Sequence, residues 1–230
     1  MATTFTESFL RAAEPHAAWG AEQSEALERA LPAAPWTADL TECAYESGGR
    51  TLRVGLLGTY DPAGRSWLWG WADPGFGGAP VTAASARVAE FGRAYGVPES
   101  AEPEVDLSGF ADPRHAAEAL AFTGMGVLGA PGCIGQEAGP QTRVYFVPED
   151  PSLPPAPLDP VTVPRFLLTG AGLFGHDARA VVRGYFGHHG VPVAEGPDLI
   201  TARLPDGRGL RVSFDPLGRI ASVEGSAGGR

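Results

Sequence analysis

The stretch Thr169-Gly170-Ala-Gly172-Leu-Phe-Gly175 carries the spacing G-x-G-x-x-G. After a strand and before a helix, that spacing lets backbone approach a pyrophosphate, which then rests on the free N–H groups of a helix N-terminus. The neighbouring residues supply the remaining parts: the run Arg165-Phe-Leu-Leu168, helical spacing over 176–189, and Glu195 about where a ribose-binding carboxylate belongs. Gly170, Gly172, Gly175 and Glu195 therefore define one reading, a nucleotide-binding enzyme. The wider context opposes it. The short chain after Glu195 reads as hairpins with Asp-Gly turns, whereas a dinucleotide fold needs further parallel strands joined by helices. Pro192 would sit inside the second strand, and Pro164 heads a run that suits a helix. The plainer reading is helix, glycine-rich turn, helix. Gly124-Met-Gly126-Val-Leu-Gly129 repeats the spacing directly before Pro131, so a glycine-rich chain generates the pattern readily.

Other chemistry-bearing residues lead less far. His188 and His189 are adjacent, and adjacent helical side chains diverge by about 100°, which is poor geometry for one metal ion. Their place before Gly190 suits a helix C-terminus, where imidazole favours the helix dipole. His16, His115 and His176 fall in early helical turns. Glu99, Glu102, Glu104 and Asp106 are spaced as a solvated acidic loop. Cys43 and Cys133 lie outside any C-x-x-C and read as free thiols. No G-x-S-x-G, H-E-x-x-H or G-K-[ST] motif occurs. No catalytic residue, metal site or cofactor follows from these residues, and the reading leans away from an enzyme.

The elements that must position any site are clearer. Pro15 cannot continue a helix but can begin one, so a short helix to Ala13 and a longer one over 15–31 are expected. Strands are expected over 36–46, 51–60 and 65–72, forming an antiparallel meander, with Asp61-Pro-Ala-Gly64 as a tight turn. With that turn, Gly58 faces Trp67, Leu56 faces Trp69 and Val54 faces Trp71, so one face is thick with indole. The opposite face brings Gly55 beside Gly70 and Arg53 beside Ala72. Indoles at alternate positions bury about 150–250 Å² each, more than a surface strand leaves in water. Trp69 is expected at the core, and Trp67, Trp71, Arg53, Gly55 and Gly70 form the candidate binding surface. Helices follow over 82–96 and 113–123, an irregular acidic stretch over 98–112, and strands over 133–136 and 142–147. A Pro-rich connector at 151–160 separates domain 1–150 from 161–224, which has two helical segments and a second meander. Residues 225–230 read as a disordered tail. The fold class is α+β, antiparallel meanders packed by helices in two subdomains.

Several stretches together resemble a known family: Trp67-Leu-Trp-Gly-Trp-Ala-Asp-Pro74, Val147-Pro-Glu-Asp-Pro-Ser152, Arg179-Ala-Val-Val-Arg-Gly-Tyr185, Leu204-Pro-Asp-Gly207 and Phe214-Asp-Pro-Leu-Gly-Arg-Ile220. The family is a domain of unknown function from GC-rich bacteria, in which Asn is expected where this chain has Asp73. The resemblance implies a compact bacterial protein with no assigned activity and no catalytic residues to carry over.

Composition bounds the partners. The net charge is −10, the arginines are dispersed, and neither Lys nor Asn occurs. Phosphate backbones and anionic membranes repel such a surface, so neither nucleic acid nor membrane is expected. No signal peptide or apolar span is evident. The expectation is a cytoplasmic, non-catalytic binding or interaction module with a protein partner. A small immunity or regulatory partner protein is a further alternative, and the oligomeric state is left open.

Overall fold

Pro15 interrupts the first helical segment as its missing N–H requires. In the computed structural model, which describes residues 4–226, helix α1 spans Glu7–Ala13, a single 3₁₀ turn spans Glu14–His16, and α2 spans Ala17–Ala30. Strands β1 (Trp36–Asp39), β2 (Ala44–Ser47), β3 (Arg50–Asp61) and β4 (Ser66–Trp69) follow, then helices α3 (Ala83–Tyr95) and α4 (Pro98–Ala101), strand β5 (Glu104–Asp106), helix α5 (Pro113–Leu128), and strands β6 (Ile134–Glu137) and β7 (Arg143–Pro148). After the connector come α6 (Val163–Leu173), α7 (Ala178–His188), β8 (Val193–Glu195), β9 (Leu199–Arg203), β10 (Gly209–Phe214) and β11 (Ile220–Ser226). The chain divides into two compact units, Met1–Phe9 with Gln23–Pro155, and Leu10–Glu22 with Ala156–Arg230.

In the first unit the long strand β3 is the spine. It pairs antiparallel with β2, β4 and β7; β1 extends β2, β5 extends β4, and β6 extends β7. Alternation places Leu52, Val54 and Leu56 in one apolar cluster with Tyr45, Ile134, Val144 and Phe146. Leu57, Trp67, Trp69 and Tyr145 are buried as well, and α5 packs there through Gly124, whose missing side chain leaves room for Leu57 and Trp69.

Several sequence expectations need correction. Residues 36–46 are two strands, not one: the Asp39 carboxylate accepts from the N–H groups of Thr41 (2.9 Å) and Glu42 (3.2 Å), and this Asx turn folds the chain back. The β3–β4 register is shifted by two residues. Asp61 faces Ser66, Tyr60 faces Trp67 and Gly58 faces Trp69, because the turn occupies 62–65 and closes with Arg65 at φ 51°. A two-residue shift preserves the face, so Trp67 and Trp69 still point the same way. Trp71 leaves the strand in a 3₁₀ turn, Gly70–Ala72. Residues 98–112 contain α4 and the edge strand β5 rather than an irregular run.

The second unit pairs β8, β9, β10 and β11 in chain order, all antiparallel. Ile200, Ala202, Leu210, Val212 and Phe214 meet Phe166 and Leu167 of α6, Val181, Val182, Tyr185 and Phe186 of α7, and Ala17, Ala18 and Trp19 of α2 in one buried cluster. Of the tail expected at 225–230, Gly225 and Ser226 belong to β11, and the rest lies outside the described residues. Antiparallel sheets covered by helices make the protein α+β.

Candidate functional site

The indole pair is the starting point. Trp67 and Trp69 are fully buried, with ring centroids 5.2 Å apart and planes at 80°, the edge-to-face geometry aromatic rings prefer. Trp69 donates through Nε1 to the Glu99 carbonyl at 2.8 Å. Trp67 fits because Gly58 has no side chain: a Cβ there would collide with the indole and with the Leu68 carbonyl. Trp71 is half-buried, with the Arg93 guanidinium 5.4 Å over its ring. Gly55 lies under Ala84 of α3 and Gly70 against the Leu56 carbonyl, while Arg53 is exposed and its N–H donates to Asp150 at 3.0 Å. The two glycines thus lie against neighbouring atoms.

In the second unit, Gly170 and Gly172 fall within α6, where a dinucleotide fingerprint would have a strand and a turn. A Cβ on Gly170 would collide with Ala18 of α2. Gly175 adopts φ 70° between α6 and α7, and Glu195 on β8 pairs with Arg179 (3.4 Å) and Arg183 (3.2 Å) of α7.

The cleft with the most developed chemistry lies elsewhere in the first unit. Trp67 stacks obliquely on Tyr145, centroids 5.1 Å apart, and Tyr145 lines a cleft of about 670 Å³ along β6. Strand β6 is an edge, pairing only with β7 among the described residues, so the cleft draws on both of its faces. Gly135 faces Tyr145 across the ladder. A Cβ at Gly135 would come within 2.9 Å of Arg143 Nη2 and 3.1 Å of Tyr145 Cε1, so the glycine is what lets those side chains lie across the strand. Tyr45 from β2 accepts a 2.8 Å hydrogen bond from Gln136 Nε2. Glu118 and Phe122 of α5, Leu27 and Glu28 of α2, and Cys133 complete the walls.

Charges at the rim are interlocked. Glu137 pairs with Arg143 at 2.8 Å and with Arg114 at 3.7 Å, and Arg114 pairs with Glu118 at 3.3 Å. Arg143 Nη2 also donates to the Gly135 carbonyl at 3.2 Å, and its Cζ lies 5.4 Å over the Tyr145 ring. Two donors are left over. Tyr145 Oη and Arg143 Nε are buried without a well-formed hydrogen bond among the described residues, the guanidinium lying close enough to the phenol to act on it. Burial, opposed by Arg143, pushes the Tyr145 phenol up to about 12. Burial likewise pushes the Cys133 thiol up to about 12. Both stay protonated at neutral pH, so neither is a ready nucleophile or base. Arg143, Tyr145 and Gln136 were missed from the sequence; the available signal was Arg143-x-Tyr145 on one strand face opposite a glycine on the partner strand.

Among the described residues, no helix is long and apolar enough to cross a membrane. Fold and cleft together define an α+β protein with a polar-floored pocket at a sheet edge. The chain belongs to a family of unknown function, DUF6882, whose model matches residues 10–151, which include every residue named in this cleft. No curated protein and no solved structure matches the chain.

Proposed function

We propose that the first unit is a non-catalytic binding module, and that its ligand is a small organic molecule seated in the cleft beside β6. The observation that carries this is a pair of buried donors without a well-formed hydrogen bond to a third group among the described residues, Tyr145 Oη and Arg143 Nε, beneath a cleft of about 670 Å³. Buried polar groups are normally satisfied, and an orphan costs about 1–3 kcal/mol. Small-molecule sites occupy about 300–1,000 Å³ and combine apolar walls with a few convergent polar groups. The ligand that fits has an apolar body against Leu27, Ile134 and Phe122, and an oxygen acceptor for the two donors. Glu28 and Glu118 in the walls disfavour a strongly anionic molecule. Cys43 and Cys133 are both free thiols, in keeping with a reducing cytoplasm.

The test is a protein-observed NMR screen of neutral carbonyl- and hydroxyl-bearing fragments against the full chain, repeated with Tyr145→Phe. Hits should shift the resonances of Gln136, Arg143 and Tyr45. Tyr145→Phe should weaken them about tenfold, one hydrogen bond's worth, while leaving the free protein as stable or more so, because an orphan hydroxyl is removed. Hits that map elsewhere, or bind the variant unchanged, overturn the reading.

A further inference from the structure

Three consecutive residues, Glu14, Pro15 and His16, engage α7 along its length. Glu14 Oε1 accepts from the N–H groups of His176 (2.7 Å) and Asp177 (3.1 Å), just before the helix begins. Pro15 presses its carbonyl against Gly184 midway, where a Cβ would collide with it. His16 Nδ1 lies 2.8 Å from His188 Nε2 at the far end. The His188 ring is stacked on Trp19, centroids 4.1 Å apart and planes at 6°. Next to it His189 donates through Nε2 to Glu22 Oε2 at 2.7 Å, and Tyr185 donates to Glu22 Oε1 at 2.9 Å.

We propose that His16 and His188 form a proton-operated latch: neutral rings hold the Glu14–His16 turn closed on α7, and acidification opens it. An N–H···N contact between two imidazoles needs one donor and one acceptor. One added proton can be shared between them; a second leaves two donors, no acceptor and two cations at hydrogen-bond distance. Burial pushes the His16 imidazole down to about 3, with the His188 charge adding to it. Burial then the His189 charge push His188 down to about 4. The opened rings take protons near the ordinary 6.5, so the open state binds more protons below that pH and is favoured as pH falls. Of the other ionisable groups, His189 acts on the pair directly; Glu22 holds His189 and Tyr185, with Asp159 also acting on Tyr185, and Glu14 meets His176 and Asp177 at the other end of α7. Glu14 opposes the effect, because burial raises its carboxyl and the closed state binds that proton more readily. It is one carboxyl against two imidazoles. The Trp19 face would favour an imidazolium, yet burial prevails at both rings.

The experiment uses the full chain. Imidazole nitrogen spectra and amide protection factors are recorded at pH 7.5, 6 and 5. Both rings should remain neutral at pH 6, and protection at Val181, His189 and Val191 should fall by at least about tenfold by pH 5, while Leu56 and Phe146 in the first unit hold theirs. The double variant His16→Leu with His188→Phe, which keeps a ring on Trp19, should lose the pH dependence. A ring that titrates near 6.5 with protection intact overturns the latch, as does a folded double variant with the wild-type profile. Should the variant not fold, the wild-type ring titrations decide alone.

Discussion

At the scale of single residues, the two buried indoles differ in one respect that can be measured. Trp69 Nε1 has the Glu99 carbonyl as partner, whereas Trp67 Nε1 is buried without one among the described residues. Replacing either by Phe removes similar volume, so the packing losses largely cancel. Trp69→Phe additionally strands a buried carbonyl, which costs about 1–3 kcal/mol; Trp67→Phe instead removes an orphan donor. Chemical denaturation should therefore show Trp69→Phe as the more damaging substitution by at least about 1 kcal/mol, and equal losses would mean the bond contributes nothing. Gly58→Ala tests the same cluster from the other side. Its Cβ would collide with the Trp67 indole and lie 2.7 Å from the Leu68 carbonyl. Backbone cannot yield as a flexible side chain can, so overpacking should cost about 1–3 kcal/mol or more in the same assay.

Among elements, α7 shows how local chemistry and tertiary packing divide the work. Asp177 caps it, its carboxylate accepting from the N–H groups of Arg179 (2.9 Å) and Ala180 (3.0 Å). Asp177→Ala should lower the second unit's stability by about 1 kcal/mol, read as a shift in its thermal transition, and Asp177→Ser should restore most of it. The residue types alone point to such ends: an acid stands before the helical run of α7, and a glycine, Gly96 at φ 66°, ends α3. Periodicity and breakers likewise located β9 to β11, α5 and the break at Pro15 between the N-terminal helices. What stayed hidden depended on distant partners. The β3–β4 register turned on where a turn with Arg65 in the left-handed region would close. Strand β5 is three residues long and exists because β4 offers it an edge. The cleft was hidden for the same reason: Tyr145 and Arg143 become a site only when β6 brings Gly135 opposite Tyr145 and Glu137 opposite Arg143. Alternation along β7 shows that the two side chains share a face but not what lies above it.

For the whole molecule, the second unit is discontinuous in sequence. Its cluster takes Ala17, Ala18 and Trp19 from the N-terminal helices and every other member from residues after Ala156. Two of its glycines make sense only with that segment present, since Gly170 accommodates Ala18 and Gly184 accommodates Pro15. Removing the segment would leave Tyr185 without Glu22, His188 without Trp19 and two bare stretches of helix; losing the Trp19 contacts alone should cost about 3–5 kcal/mol. That is a large share of what a small domain has to spare. A fragment of residues 156–226 should accordingly melt without a cooperative transition and show a collapsed, poorly dispersed NMR spectrum. Joining residues 10–22 to it through a flexible linker should restore both dispersion and cooperativity, because the missing surface returns at high effective concentration. A peptide of those residues added in trans should do so only weakly, since so short a helix is marginal by itself in water. If the fragment alone gives a sharp transition and a dispersed spectrum, residues 10–22 merely decorate a self-sufficient domain, and the latch between His16 and His188 would then have little to hold.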